Sequence, residues 1–116
     1  MNITFTGYRI VFKDKNNEVF LISLKHRIIC FSISEKFIAV CEDWKNLESN
    51  QNLSIFDIKG TFLFKIDSAP KALYENFGFY SSVSFKTDEI VVIQSTDYRY
   101  EYHLEKRMFL NEIYTK

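Results

Sequence analysis

The sequence predicts an all-β domain, and three observations carry that expectation. Apolar runs of four to eight residues, many alternating with period 2, fill the chain. Aromatic residues make up 17% of it, led by 12 Phe and 7 Tyr, side chains that favour strands and bring large apolar area. No stretch sustains three turns of helical periodicity; the best helical candidate is a turn or two in PKALYEN, entered through Pro70.

Taken in order, the runs read as about ten antiparallel strands at 3–12, 18–24, 27–34, 37–44, 53–58, 61–66, 82–86, 89–95, 98–104 and 108–114. The first can break near Gly7, where a bulge is natural. Polar turns divide the rest: DKNN at 14–17, SEK at 34–36, KG at 59–60, TDE at 87–89 and STD at 95–97. Connections this short force antiparallel neighbours, because a parallel crossover needs about a dozen residues or more. Two connections are longer: KNLESNQN at 45–52 is polar, and DSAPKALYENFGFYS at 67–81 is aromatic. Loops of that length in a compact domain are functional or packed back on the body.

Placing Glu35 and Lys36 in a two-residue turn sets a register. Ser34 then faces Phe37, Ile33 faces Ile38, Phe31 faces Val40 and Cys30 faces Cys41. Alternation puts Phe31, Ile33, Ile38 and Val40 on one face, and the small Cys30, Ser32, Ala39 and Cys41 on the other. A large-residue face backed by a small-residue face suits a sheet stacked between neighbours. The run Ile90, Val91, Val92, Ile93, apolar on both sides, reads the same way.

The turn-plus-strand SEKFIAV at 34–40 matches TDEIVVI at 87–93 in pattern, and each is preceded by one strand and followed by a hairpin. The chain therefore holds two four-stranded meanders about 53 residues apart, with a partial third unit in residues 3–24. This organisation resembles the blades of β-propeller proteins, in which a four-stranded antiparallel sheet repeats about every 40–50 residues. The Gly-His and Trp-Asp pairs of WD repeats are absent, and two and a fraction units do not close a ring. The expected architecture is a half-propeller or a sandwich of packed sheets, in one domain spanning 1–116.

Composition narrows the chemistry. With 3 Gly and 1 Pro, the chain has no Gly-rich phosphate cradle and no Pro-rich linker. Its 15 basic and 15 acidic residues cancel, but unevenly: residues 1–41 carry +3, 42–105 carry −5 and 106–116 carry +2. An acidic middle section suits a basic protein partner rather than nucleic acid, whose binders show a basic stripe. The start, MNITFTGYRIVFKDK, lacks the pattern of a signal peptide, and no run approaches a membrane span, so cytoplasmic residence with no membrane association is expected.

Cys30 and Cys41, as cross-strand neighbours, read as core-filling thiols, with a redox pair the alternative; two cysteines fall short of a zinc set. His26 lies in the turn KHR and His103 on a charged strand face beside Glu101 and Glu105. A Cys/His nucleophile pair between His103 and either cysteine is arithmetically open. Tyr98, Tyr100 and Tyr102 form one stripe, either an inward core or an interface anchor. No nucleophile elbow, phosphate loop or metal set is present, so no cofactor and no catalysis are expected.

The candidate binding residues lie in the two long connections and just before them. Glu42 and Asp43 precede Trp44, an acidic pair beside an aromatic residue, and Glu48 follows. Tyr74, Glu75 and Phe77 belong to the aromatic loop, which either caps the sheets or forms an anchor patch. Size, acidic middle and aromatic loops together resemble bacterial immunity proteins, including those of contact-dependent growth inhibition. The resemblance implies a non-catalytic protein that neutralises a cognate toxin, a basic nuclease, by blocking its active site. Acidic residues would steer the encounter, and Trp44, Tyr74 and Phe77 would anchor it. Two other readings are a propeller-like interaction module that self-associates and an enzyme with a Cys/His site.

Overall fold

In a computed structural model of the chain, residues 2–43, 51–70 and 79–115 are described. They form eleven strands, all paired antiparallel, and no helix is present among them. The strands are β1 (Asn2–Phe5), β2 (Arg9–Lys13), β3 (Val19–Ser23), β4 (Ile28–Ile33), β5 (Phe37–Glu42), β6 (Leu53–Asp57), β7 (Phe62–Lys65), β8 (Ser82–Phe85), β9 (Ile90–Gln94), β10 (Tyr98–His103) and β11 (Met108–Tyr114). Three sheets result, with orders β1-β2-β3, β4-β5-β6-β7 and β11-β10-β9-β8. Among the described residues, no helix is long and apolar enough to cross a membrane. The residues after Pro70 in PKALYEN, where a helical turn is expected, lie outside the described set.

The eleventh strand comes from 3–12, which breaks near Gly7 by a chain reversal and not by a bulge. Gly7 adopts φ 63°, and Tyr8 after it does not share that left-handed geometry. Tyr8 N–H donates to Thr6 O across Gly7, closing a three-residue γ-turn whose positive central φ suits glycine. The chain therefore reverses: Thr6 N–H donates to Arg9 O at 3.0 Å, and Ile3 pairs with Phe12 and Phe5 with Ile10. What a bulge would have bent, the glycine folds back.

The second sheet follows the expected register residue by residue: Cys30 opposite Cys41, Phe31 opposite Val40, Ser32 opposite Ala39 and Ile33 opposite Ile38. It is the middle layer of the stack. Its large-residue face, with Ile28, Ile38, Val40 and Phe56, packs on Ile10, Phe12 and Ile22 of the first sheet. Its small-residue face, with Ala39 and Cys41 joined by Leu53 and Ile55, packs on Val83, Val91, Ile93, Tyr100 and Tyr102 of the third. Small side chains on one side leave room for the bulky tyrosines on the other, so layers interdigitate at close-packed density. The tyrosine stripe is therefore core: Tyr100 and Tyr102 are buried, and Tyr98 is half-buried against Tyr114.

The β2–β3, β4–β5, β6–β7, β8–β9 and β10–β11 turns gather at one end of the stack, and contacts among them tie adjacent sheets together. Ser34 Oγ donates to Asp88 O at 3.1 Å, and Glu35 N–H donates to the Asp88 carboxylate at 3.2 Å. Lys36 Nζ reaches Glu89 at 2.5 Å; this hydrogen bond raises the Lys36 pKa and lowers that of Glu89. Arg107, itself at φ 51° in the last turn, lays its guanidinium over the Phe64 ring of the second sheet at 4.1 Å. The long connections leave from the other end.

Candidate partner-binding end

Strands β5 and β7 both run out at the end opposite the β4–β5 and β8–β9 turns, and β6 and β8 both begin there, so both long connections open at this end. What roots them is one buried amide. Asn52 precedes β6 and is fully buried. Its Nδ2 donates to Glu42 O at 2.8 Å and to Tyr80 O at 2.7 Å, while its Oδ1 accepts the Tyr80 N–H at 2.7 Å. The side chain thus meets the Tyr80 backbone as a second strand would, donor to acceptor and acceptor to donor. Cys41 adds a thiol donor to Tyr80 O at 3.1 Å.

Tyr80 is the other half of the root. Its ring is buried, and its hydroxyl donates to Asp67 O across the base of its own loop. Burial pushes the Tyr80 phenol and the Cys41 thiol well above their ordinary pKa values. Both stay protonated and act here as hydrogen-bond donors. The adjoining backbone is fastened too: Ser95 Oγ donates to Phe79 O at 3.3 Å, and Ser81 N–H donates to Gln94 O at 2.8 Å.

The sequence-predicted binding residues distribute unevenly over this end. Glu42 closes β5 and is only 4% exposed; its N–H donates to Asn52 O at 2.8 Å. Asp43 follows, half-buried, its N–H donating to Arg27 O at 2.7 Å. Trp44, Glu48, Tyr74, Glu75 and Phe77 lie outside the described residues. Asn52 and Tyr80, which bring the two loop bases together, escaped the sequence reading. Asn52 is one of three asparagines in KNLESNQN, and nothing in that pattern separates it from Asn46 or Asn50.

The cysteine and histidine candidates do not assemble. Ser34 N–H donates to Phe37 O, and alternation from that bond makes Cys30 and Cys41 a hydrogen-bonded pair. Both thiols are free, and Cys30 is engaged with the Val83 backbone of the third sheet. His103 sits on the opposite face of that sheet, with Nδ1 accepting the Lys106 N–H at 3.2 Å and Nε2 lying 3.7 Å from Glu89. Among the described residues, no group of three or more His, Cys, Asp or Glu is placed to hold a metal.

No family model matches the chain, and no curated protein does. Among solved structures it is similar to the computationally designed Ika8 protein, at TM-score 0.51 and 16% identity over 93% of this chain and 34% of that one. At that identity the likeness is one of fold alone, and the chain spans about a third of the length of the structure it matches.

Proposed function

We propose that the chain works by binding a protein partner, without catalysis, on the end from which its two long connections emerge. The observation that carries this reading is the Asn52–Tyr80 clamp: two segments distant in sequence leave the body side by side from a shared, buried root. Preformed roots reduce the ordering cost of binding, so residues from both segments engage one partner together. The specific form is an immunity protein that covers the active site of a cognate toxin, a basic nuclease. Asp43, Glu48 and Glu75 steer in this form, and Trp44, Tyr74 and Phe77 anchor. Glu42, being buried, belongs to the root.

Co-expression with the protein encoded beside it tests this form. Restored growth of cells that the neighbour alone arrests is the expected result; arrest despite soluble, folded chain sinks the immunity reading.

A second reading, a self-associating module, draws support from apolar side chains on the outer faces of the stack. Val19 and Leu21 on the first sheet are 63% and 52% exposed, and Met108 and Ile113 on the third are 50% and 49% exposed. Light scattering decides it: a stable symmetric oligomer at micromolar concentration supports this module, and a monomer rules it out.

A further inference from the structure

We propose that the first sheet takes a fourth strand in trans: an extended peptide, antiparallel to β1 on its free edge and lying against β4, that alternates small hydroxyl or thiol residues with large apolar ones. The loop end is not involved, so this inference stands or falls independently of the binding reading above.

The three sheets show which strand is missing. In the β2–β3 turn, Asp14 Oδ1 accepts the N–H groups of Asn16 and Glu18 at 2.8 and 3.0 Å, and Asn17 has φ 63°. In the β6–β7 turn, Asp57 Oδ1 accepts those of Lys59 and Thr61, both at 2.9 Å, and Gly60 has φ 87°. Same carboxylate, same offsets, same left-handed position: β2–β3 is the counterpart of β6–β7, and β1 of β5. Among the described residues, the first sheet has no counterpart of β4.

That inner strand has a defined job between the second and third sheets. Lys86 N–H donates to Ile90 O, so alternation turns the backbone groups of Val83 and Phe85 away from β9, toward the free edge of β8. Small side chains of β4 meet them. Val83 N–H donates to Cys30 Sγ and that thiol donates to Val83 O, both at 3.5 Å, and Phe85 N–H donates to Ser32 Oγ at 3.2 Å. One inner strand caps the exposed edge of the next.

On the other side of the second sheet this capping is absent. The Ser34–Phe37 bond sets the phase of β4, so Phe31 and Ile33 present their backbone groups at its free edge. Among the described residues, nothing caps them as Val83 and Phe85 are capped. The edge of β1 is open in the same way. The Thr6–Arg9 bond directs Thr4 toward β2 and turns the backbone of Ile3 and Phe5 outward, with side chains 44% and 46% exposed. An open groove of about 730 Å³ lies beside the Ile3–Ile33 part of these edges, lined also by Ser34 and by turn residues such as Asp14 and Glu35; farther along, the Phe5 and Phe31 rings meet, centroids 5.4 Å apart. A strand between these edges would displace the Phe5–Phe31 ring contact, pair with Ile3 and Phe5 through its backbone and cap Phe31 and Ile33 through small polar side chains. The arrangement is β-augmentation with a required small–large alternation.

The probe is a synthetic peptide with the sequence of residues 81–87, SSVSFKT, which carries that alternation in β8. Titrated into the ¹⁵N-labelled protein, it is expected to shift the amides of Ile3, Phe5, Phe31 and Ile33 saturably and to slow hydrogen exchange at Ile3 and Phe5 at least 10-fold. The double variant Ile3→Pro/Phe5→Pro removes the outward N–H groups, along with the two side chains, and should bind at least 10-fold more weakly, whereas Ile3→Ala/Phe5→Ala, which keeps those N–H groups, should still bind. Should the proline variant fail to fold, peptides N-methylated at alternate residues replace it: one register should abolish binding and the other preserve it. No saturable shift, shifts confined to other residues, or equal binding by both N-methylated registers would overturn the proposal. So would a peptide-free dimer that protects Ile3 and Phe5, which would assign the edge to a second copy of the chain.

Discussion

Replacing Asn52 by Ala tests the root of the loop end directly. The substitution deletes the donor to Glu42 O, the donor to Tyr80 O and the acceptor for Tyr80 N–H. Tyr80 O keeps the Cys41 thiol, so two buried backbone groups, Glu42 O and Tyr80 N–H, lose the partner described for them. At about 1–3 kcal/mol for each buried group left unpaired, the expected loss is about 4 kcal/mol. That is a large share of the 5–15 kcal/mol or so typical of a domain. With a urea m-value of about 1.5 kcal/mol/M, the unfolding midpoint should fall by about 2–3 M. Asn52→Asp sharpens the test. Its carboxylate keeps the acceptor for Tyr80 N–H but turns a second oxygen on the Glu42 and Tyr80 carbonyls. Those carbonyls raise the new carboxyl's folded pKa. The protonated acid restores one donor, so stability is highest below the unfolded value of about 4 and is lost as pH rises past it. A midpoint shift under about 0.5 M for Asn52→Ala, or an Asn52→Asp variant indifferent to pH, would refute the clamp.

Other outcomes follow from the same core. Burial holds the Cys41 thiol and Tyr80 phenol protonated in the folded state, so the unfolded chain alone loses these protons as pH rises. Stability should be level below about pH 8.5 and then fall by about 1.4 kcal/mol per pH unit, steepening above about pH 10 as Tyr80 joins. Urea titrations from pH 7 to 11 read this directly, and a flat profile contradicts it. A thiol reagent at pH 7.5 should modify Cys41 only at the rate of unfolding, because the reactive thiolate is suppressed; rapid native labelling would contradict its burial. Gly60→Ala should cost about 2 kcal/mol, since a Cβ there meets Leu21 O at 3.2 Å on a left-handed backbone, whereas Gly7→Ala meets nothing within 4 Å and should cost about 1. Equal costs in thermal unfolding would contradict the contact between the turn and the first sheet.

Much of the fold was legible because period 2 and short turns together leave few choices. A two-residue turn at Glu35–Lys36 sets every partner from Cys30 to Cys41, and a slip of one residue would have turned Ile38 and Val40 to the wrong layer. The small–large division of those faces also announced a middle sheet, as the two core clusters bear out. The hairpin at Gly7 was missed because 3–12 is apolar enough to read as one strand; a Gly-initiated turn is told from a bulge only by what the strand pairs with. The root of the candidate site was less legible still. Asn52 matters because Tyr80, 28 residues away, arrives beside it, and no local pattern encodes that meeting. Likewise Cys30 and Ser32 read as space-saving residues, while their role in capping β8 appears only once the third sheet lies alongside.

The most direct test of binding at the loop end is calorimetric titration of the protein encoded beside this one into three forms of the chain. These are the native form, a form with residues 44–50 replaced by a Gly-Ser linker of equal length, and a form carrying Lys15→Ala and Asp88→Ala at the opposite end. A nanomolar Kd is expected for the native chain, with at least 100-fold weakening for the linker form and no more than 3-fold change for the opposite-end form. No binding by the native chain, or a larger loss from the opposite-end form than from the linker, would contradict binding at the loop end.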